Sequence, residues 1–341
     1  MAISLTAASM KASGKTYEPI LEELLFENKT LDQKLVAFAD DVKAETEITE
    51  ISAGVTMQAY SSGAPSSNGT LTSTGTAITP VKVMYYQEFD PNTLRASRYG
   101  RDMKPGAWNT ISGEFEKVVV GLYARKISVD AESKWYNNIL SATQTAIAGL
   151  SPGTGQASVG AAEQAYAAAL TAGQFDGLVT RMIYNGGALG GRVKVAGSTI
   201  NATNIKDEYD ALYQAAPAVV LDQTDVPARI FAPYSHRQFI TAYNNNPAAY
   251  KDAFVVEKGT DTKIPKIFSF NSVEIVFVPL PENCMILARP DHLLWATDLV
   301  SDIAYMKMDY IAANRDDMFI KHVFTIFAHV MNQSRNVLYL G

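Results

Sequence analysis

Cysteine is almost absent from the sequence: Cys284 is the one cysteine among 341 residues. An internal disulfide framework and a cysteine-based zinc site are therefore excluded, and a reducing compartment suits the chain. Long apolar runs are missing too, since no stretch approaches the ~18 uncharged residues that span a membrane. Residues Met1–Thr6 lack a basic stretch followed by an apolar run, so no secretory signal is expected.

Positive charge is not in excess. Lysine and arginine number 29 against 35 aspartate and glutamate residues, which gives a formal net charge of −6. This balance argues against a protein that grips nucleic acid through a basic surface, although it leaves weak contact with nucleic acid open. With 47% hydrophobic and 19% charged residues, the chain is globular, and its length allows one large domain or two to three small ones.

No set of residues predicts catalysis, cofactor binding or metal binding. The histidines are scattered at His236, His292, His322 and His329. The last two lie seven residues apart in a predicted strand, and this odd offset places them on opposite faces. Cys284 precedes an apolar strand, which favours a small buried residue over a nucleophile.

Glycine-rich and acidic segments also fail to form a recognisable site. Residues 153–155 and 186–191 match neither the dinucleotide-binding fingerprint nor the phosphate-binding loop, so both are predicted to be ordinary loops. The pairs Asp40–Asp41 and Asp316–Asp317 are adjacent residues that point apart on a regular element, which favours solvated surface. We therefore expect no enzyme activity and no cofactor.

The N-terminal region predicts a helix in two pieces over residues 17–44. Apolar residues recur at helical spacing in each piece, with Thr30 or Asn28 as the cap of the second. They are Ile20, Leu21, Leu24 and Leu25 after Pro19 in the first piece, and Leu31, Leu35, Phe38 and Val42 in the second. The pattern fits an ordinary amphipathic helix or an arm that packs on a neighbouring subunit.

Two strand-like segments follow, at residues 48–60 and 78–89, and they flank small polar residues over 61–76. The pattern predicts a long exposed hairpin with a tip of roughly sixteen residues, and loops of that length are usually functional. Since a two-stranded ribbon alone is marginal in water, we expect this one to rest on something outside its own domain.

Residues 107–142 predict a helix of about 30 residues, ~45 Å long, with a possible bend at Arg125 and Lys126. Its apolar face is predicted from Ile111, Phe115, Val118, Leu122, Val129, Tyr136 and Leu140.

The remainder of the chain predicts a mixture of helices and strands. Helices are expected over 161–169, 205–216 and 235–243, the last capped by Ser235, and a hairpin over 192–200. Strands are expected over 228–232, 273–278, 285–288, 302–313, 318–331 and 336–340.

This order of parts resembles a tailed-bacteriophage major capsid protein of the Hong Kong 97-like fold, which encapsulin compartments share. The passage Ala228-Arg-Ile-Phe-Ala-Pro-Tyr-Ser-His-Arg-Gln-Phe is similar to the strand-then-helix passage of that family, and residues 273–295 are similar to its closing strands. The resemblance covers nearly the whole chain, but it is one of architecture, because the family shares little sequence.

The resemblance implies an α+β fold with an N-terminal arm, an extended hairpin called the E-loop, a peripheral (P) domain with a long spine helix, and an α/β axial (A) domain. The corresponding segments are 1–47 for the arm, 48–88 for the E-loop, 89–203 for the peripheral domain, 204–300 for the axial domain, and 301–341 for strands that return to the peripheral domain.

The implied function is that of a major capsid protein that assembles into an icosahedral shell around double-stranded DNA. The implied partners are copies of itself as pentamers and hexamers, a portal, a possible cementing protein and packaged DNA touched without specificity, with no membrane. The virion is the implied location, after assembly in the host cytoplasm.

Two departures from relatives shape these expectations. Met1 lies only about sixteen residues before the first predicted helix, so a separate scaffolding protein is expected, or none at all. Some relatives cross-link a hairpin lysine to a neighbour, but this chain has no lysine between Lys43 and Lys82, so we expect a non-covalent shell.

Three other functions remain open. An encapsulin-like compartment would hold cargo peptides instead of a genome. An α/β enzyme would place perturbed titratable groups in a pocket of the 204–300 block. A fibre or adhesin would use the Ser/Thr/Gly-rich hairpin in a trimer.

Overall fold

The structure, a computed structural model, describes most of the chain from Asn28 to the C-terminus. The described residues are 28–42, 46–55, 57–58, 69–90, 113–185, 187–222, 226–246, 253–258, 266–298, 306–311 and 317–341. Within these ranges, every helix is too short or too polar to cross a membrane.

Helices and strands are mixed along the chain, which confirms the predicted α+β content. The helices are α1 Lys29–Asp32, α2 Gly113–Tyr136, α3 Ser141–Ala148, α4 Ala161–Ala169, α5 Leu178–Ile183, α6 Ile205–Gln214, α7 Ala218–Leu221 and α8 His236–Asn245. The strands are β1 Ala37–Ala39, β2 Thr46–Val55, β3 Gly69–Ile78, β4 Val81–Phe89, β5 Tyr184–Asn185, β6 Ala188–Leu189, β7 Val193–Ala196, β8 Arg229–Pro233, β9 Phe254–Lys258, β10 Lys266–Phe270, β11 Val273–Val278, β12 Cys284–Ala288, β13 Leu293–Ala296, β14 Met306–Tyr310, β15 Met318–Val330 and β16 Val337–Leu340.

A seven-stranded sheet in the order β7-β16-β12-β8-β11-β10-β9 organises the C-terminal half. Its interior strand β12 reads Cys-Met-Ile-Leu-Ala, and all five residues are buried. Such a continuous apolar run is typical of a strand covered on both faces. Ile286 points into one core cluster and Leu287 into a second, so the sheet separates two hydrophobic cores.

One edge of this sheet is covered by a side chain. The Gln156 Nε2 donates to the Lys194 carbonyl at 3.0 Å, and the Lys194 N–H donates to the Gln156 Oε1 at 2.6 Å. The amide group thus makes the two hydrogen bonds that another strand would make with β7. At the other edge, β9 pairs only with β10 within the described part of the chain.

A second sheet is built around the long strand β15. Its first nine residues pair with β4, residues 318–322 also pair with β14, and residues 327–330 pair with β13. β1 then adds to β13 in parallel. Alternate residues of β15 over 318–326 are buried, so one face of this part of the sheet lies in the interior.

Helix α2 lies against the inner face of the second sheet. Trp135, near its C-terminal end, is fully buried and stacks on Trp295 with ring centroids 5.1 Å apart. The Trp135 Nε1 donates to the Phe327 carbonyl at 3.3 Å. With 24 residues, α2 is ~36 Å long, and the helix is continuous through Arg125 and Lys126, where the sequence allowed a bend.

The predicted apolar face of α2 is only partly correct. The buried side chains that face the core are Val120, Ala124, Ile127, Ala131 and Trp135. Leu122 and Val129, which the sequence placed on the core face, are 54% and 57% exposed. The sequence had two apolar stripes on one helix, and periodicity alone did not show which stripe meets the sheet. The residues predicted N-terminal to Gly113 lie outside the described ranges.

The predicted helix through residue 44 is wrong. Asn28 does cap α1, since its Oδ1 accepts the Leu31 N–H at 3.2 Å, but the helix ends at Asp32. Lys34 then adopts a left-handed φ of 48°, which breaks the helical path. Residues 37–39 instead form β1, so the sheet edge overrides the helical spacing. The first predicted piece, 17–27, lies outside the described residues.

The predicted hairpin has different strands. β2 pairs with β3 in antiparallel register from Thr46–Ile78 to Val55–Gly69. Much of the supposed tip is therefore strand β3, whose Thr-rich sequence suits strands. The segment predicted as the second hairpin strand is β4, which leaves the hairpin and joins β15.

Most of the later elements are confirmed, among them the helix 161–169 and the strands 273–278 and 285–288. The hairpin over 192–200 is wrong, because β7 pairs in parallel with β16 from the distant C-terminus. Ser235 precedes α8 but makes no side-chain capping bond.

Candidate assembly surfaces

The candidate catalytic residues are not brought together. All four histidines are buried, and within the described residues no group of three or more histidine, cysteine or acidic side chains is placed to hold a metal ion. His236 lies between the Tyr209 hydroxyl, 3.1 Å from Nδ1, and the Glu282 carbonyl, 2.8 Å from Nε2. Burial lowers the pKa of His236 to about 4, so it is neutral near pH 7.

Cys284 is a core residue of β12 and has no exposed surface. Burial raises the pKa of its thiol, which disfavours the reactive thiolate. This geometry agrees with the prediction of a small buried side chain.

The glycine-rich segments serve local packing. An added Cβ on Gly190 would collide with the Met182 carbonyl, and Gly191 has a left-handed φ of 68°. Gly153 donates its N–H to Val159 in a tight loop. Asp41 also has a left-handed φ, of 60°, at the end of the β1 segment, whereas Asp316 lies outside the described residues.

Two shallow clefts of about 210 and 160 Å³ lie between β4 and α2. The Tyr85 hydroxyl donates to Asp130 at 2.7 Å, and both residues line both clefts. Among the described residues that line them there is no histidine or cysteine. The charged side chains that line the clefts are Lys126, Asp130 and Lys134.

The ribbon formed by β2 and β3 is the most unusual surface feature. Its ten residue pairs make it ~33 Å long, and within the described residues it pairs with no other strand. Neighbouring side chains on a strand point to opposite faces, yet Thr70, Leu71, Thr72 and Ser73 are all exposed. Residues on both faces of this part of the ribbon are therefore exposed, and Leu71 is 76% exposed.

The ribbon is fixed at its base. Ile78, the last residue of β3, is fully buried in a small cluster with Val42, Leu294 and Phe327. Charge on the ribbon is of one sign, because residues 46–78 contain Glu47 and Glu50 and no basic residue. The ribbon is thus acidic, and within the described residues Ile78 anchors its base in an apolar cluster.

The second sheet has an outer face opposite α2. Met84 and Tyr86 of β4 are 57% and 49% exposed. The centroids of the Tyr86 and Phe319 rings lie 5.8 Å apart. The Lys307 Nζ lies over the Phe319 ring, 5.7 Å from its centroid. This mixed apolar and aromatic face is the composition typical of protein interfaces. The alternation of β4 could have revealed it from the sequence.

A buried anchor that the sequence did not reveal joins the N-terminal region to α2. Glu132 accepts hydrogen bonds from the Thr30 N–H at 2.8 Å and the Thr30 hydroxyl at 2.5 Å, and the Tyr136 hydroxyl lies 3.1 Å from that hydroxyl. Lys29 donates to the Phe277 carbonyl at 2.6 Å. We call Lys29, Thr30, Glu132 and Tyr136 the arm anchor.

Electrostatics of the arm anchor follow from its burial. Loss of hydration raises the pKa of Glu132, although the Thr30 bonds and the Lys29 charge oppose this shift. The same loss of hydration lowers the pKa of Lys29, with Glu132 opposing. These partners lie 102 or more residues apart in sequence, which is why no local pattern predicts them.

The sequence matches no established protein family and no curated protein. Solved structures are nevertheless similar over nearly the whole chain. The capsid of an empty GTA particle is 9% identical with a TM-score of 0.55, over 92% of this chain and 90% of that one. The capsid of Myoviridae phage XM1 is 10% identical with a TM-score of 0.50, over 92% and 91%.

A third similar structure comes from the satellite phage P4 procapsid, which includes a size determination protein. It is 9% identical with a TM-score of 0.50, over 95% of this chain and 89% of that chain. In all three comparisons the similarity extends over about nine tenths of both chains, although the sequences are no more than 10% identical. This chain therefore has the Hong Kong 97-like fold of tailed-phage major capsid proteins.

Proposed function

We propose that this chain is a major capsid protein that assembles into an icosahedral shell enclosing a viral double-stranded DNA genome. The observation that carries the proposal is the β2–β3 ribbon, with exposed residues on both of its faces. An isolated two-stranded ribbon is marginal in water, so contact with another molecule would stabilise it. A neighbouring copy supplies that support in a shell.

The exposed surfaces suit repeated head-to-tail contacts. A ribbon that leaves one subunit and lies on a different surface of the next makes a heterologous contact, and such contacts close into rings of five or six. The outer face around Met84 and Tyr86 supplies apolar area for such contacts. Interfaces of this obligate kind resemble a core divided between two chains.

The proposal includes the division into an arm (1–47), an E-loop (48–88), a peripheral domain (89–203 and 301–341) and an axial domain (204–300). It also includes a separate scaffolding protein, a portal and a possible cementing protein, in keeping with the P4 procapsid, which contains a further protein. Assembly takes place in the host cytoplasm and the protein ends in the virion.

Two chemical features fit this shell. The net charge of −6 gives weak, non-specific contact with packaged DNA rather than tight binding. The absence of lysine between Lys43 and Lys82 leaves the ribbon without the amine needed for an isopeptide cross-link, so the shell is held by non-covalent contacts.

Expression of the full chain, followed by light scattering and negative-stain microscopy, tests the proposal. Closed particles tens of nanometres wide are expected. A uniform 37 kDa species would count against a shell and in favour of the enzyme, and a trimer would favour the fibre. Nuclease-protected DNA in particles from the natural host supports the capsid, whereas bound protein cargo would favour the encapsulin-like compartment.

Leu71→Asp sharpens the test because this side chain is exposed in the subunit. We expect the variant to fold and to lose assembly. The matched control is Val219→Asp on α7, whose side chain is also exposed, at 54%. Assembly that survives Leu71→Asp as well as it survives the control would remove the ribbon from the interface.

A further inference from the structure

Helix α2 carries a second apolar stripe that the described residues cover at one end only. Leu122, Val129 and Tyr136 are spaced by seven residues, close to two helical turns, so they share one face. Tyr136 is fully buried beneath Thr30, whereas Val129 and Leu122 are more than half exposed. The stripe thus continues for ~21 Å, from a covered end to an uncovered one.

The chain enters the described structure at the covered end of this stripe. Asn28 is the first described residue, and the next two residues form the arm anchor with Glu132 and Tyr136. Whatever precedes Asn28 therefore starts beside the stripe. Residues 18–27 would be ~15 Å long as a helix, which is enough to cover the ~10 Å of helix between Val129 and Leu122.

Charge on the two partners is complementary. Residues 18–27 contain four glutamates and no basic residue, a net charge of −4. Residues 122–129 of α2 contain Arg125 and Lys126 and no acidic residue, a net charge of +2. Opposite potentials of this kind favour the pairing and fix its orientation.

Apolar surface is complementary as well. Ile20, Leu21, Leu24 and Leu25 fall at the spacing of one helical face, and Leu122 and Val129 are the exposed apolar residues opposite them. We propose that residues 18–27 dock in cis along the Leu122–Val129 stripe of α2 in the same copy of the chain. Helix α2 then has two apolar interfaces, one with the second sheet and one with residues 18–27.

The same copy is favoured over a neighbour by connectivity. Residue 27 is bonded to Asn28, so the segment faces the stripe at an effective concentration on the order of millimolar, without any assembly. This docking is independent of the proposed shell, since it concerns the single chain. It places the N-terminal arm on its own spine rather than on an adjacent subunit.

Engineered cysteines test the proposal in the full chain. Val129→Cys is combined in turn with Ile20→Cys, Leu21→Cys and Leu24→Cys, and the buried Cys284 is left in place. Under oxidation, at least one pair is expected to give an intrachain disulfide, found by peptide mapping. The control combines Leu24→Cys with Asp207→Cys on α6, whose side chain is 81% exposed, and is expected to stay reduced.

A labelling experiment covers the case in which the segment docks but none of the three cysteine pairs lies close enough to form a disulfide. In the single variant Val129→Cys, maleimide labelling is expected to be about tenfold slower than in Asp207→Cys, and Leu21→Glu with Leu24→Glu is expected to restore the faster rate. Disulfide-linked dimers would assign the stripe to a second copy and overturn the proposal. Absence of any cross-link together with fast labelling would overturn it as well. Neither result depends on whether particles form.

Discussion

Arg192 and Glu163 form an ion pair with 0% and 2% of their side chains exposed. The Arg192 Nε donates to the Glu163 Oε1 at 3.0 Å, and the other carboxylate oxygen accepts the Gly160 N–H at 2.7 Å. The Lys194 Nζ lies 3.9 Å from that second oxygen. The pair therefore fixes the start of α4 against the segment that leads into β7.

Arg192→Met should strongly destabilise the chain. The change leaves the buried Glu163 carboxylate without its arginine, and Lys194, 3.9 Å away, is then its nearest cation among the described residues. Breaking a buried ion pair costs about 3–5 kcal/mol. The free energy of unfolding, measured by urea denaturation of the unassembled chain, should fall by roughly 3 kcal/mol. The control is Lys206→Met, which breaks the half-exposed pair with Asp210 and should cost less than about 1 kcal/mol. Equal losses would contradict the prediction.

Ile78→Ala should loosen the base of the ribbon. Ile78 is fully buried beside Leu294 and Phe327, so the change leaves a cavity and should cost about 2–5 kcal/mol of unfolding free energy. Leu71→Ala on the exposed part of the same strand should change that free energy by less than about 0.5 kcal/mol. Thermal unfolding of both unassembled variants checks the contrast, which fails if the two shift alike.

Two glycine substitutions should act in opposite directions. An added Cβ on Gly190 meets the Met182 carbonyl, so Gly190→Ala should cost about 1–3 kcal/mol. Gly121 lies within α2 with no neighbouring atom near an added Cβ, so Gly121→Ala should stabilise the helix by about 1 kcal/mol. Urea denaturation of the two variants measures both changes, and a gain at Gly190 would contradict the close contact.

His329 should make the chain sensitive to acid. Burial and the nearby Arg181 cation lower the pKa of His329 from 6.5 to about 4, so the unfolded chain binds a proton that the folded chain does not. Its stabilising effect is complete above pH 6.5 and is lost as the pH falls toward 4.

Removal of this histidine should weaken the pH dependence. His329→Leu should reduce the slope of unfolding free energy against pH by about 1.4 kcal/mol per unit between pH 4.5 and 6. Val323→Ala on the same strand has no ionisable group and should keep the parent slope. The unfolding free energy is measured at several pH values in this window. An unchanged slope in His329→Leu would contradict the assignment of this pH dependence to His329.

Local patterns predicted elements well and their partners poorly. The helix 161–169 and strands such as Val273–Val278 were predictable because their pattern of apolar and polar residues lies within the element itself. The strand β1 was not, because Ala37–Ala39 gain their hydrogen bonds from β13, more than 250 residues away. Tertiary pairing there overrides the helical spacing of Leu35 and Phe38.

The candidate surfaces show the same division. In the described part of the predicted tip, residues 69–73 are exposed as expected. Strand β3 nevertheless pairs from Gly69 onward, because threonine favours strands even when no apolar alternation marks them. The arm anchor joins Thr30 to Glu132, and no local sequence pattern around either residue predicts this contact. Contacts between distant segments require the fold before they can be recognised.

The amide of Gln156 has a consequence for solubility. By occupying the backbone N–H and carbonyl of Lys194, it removes one pair of hydrogen-bonding groups that an added chain would need along β7. Any protein at high local concentration gains from such protection of a sheet edge. One uncharged side chain on a loop thus lowers the tendency of this strand edge to pair with the strand of another molecule.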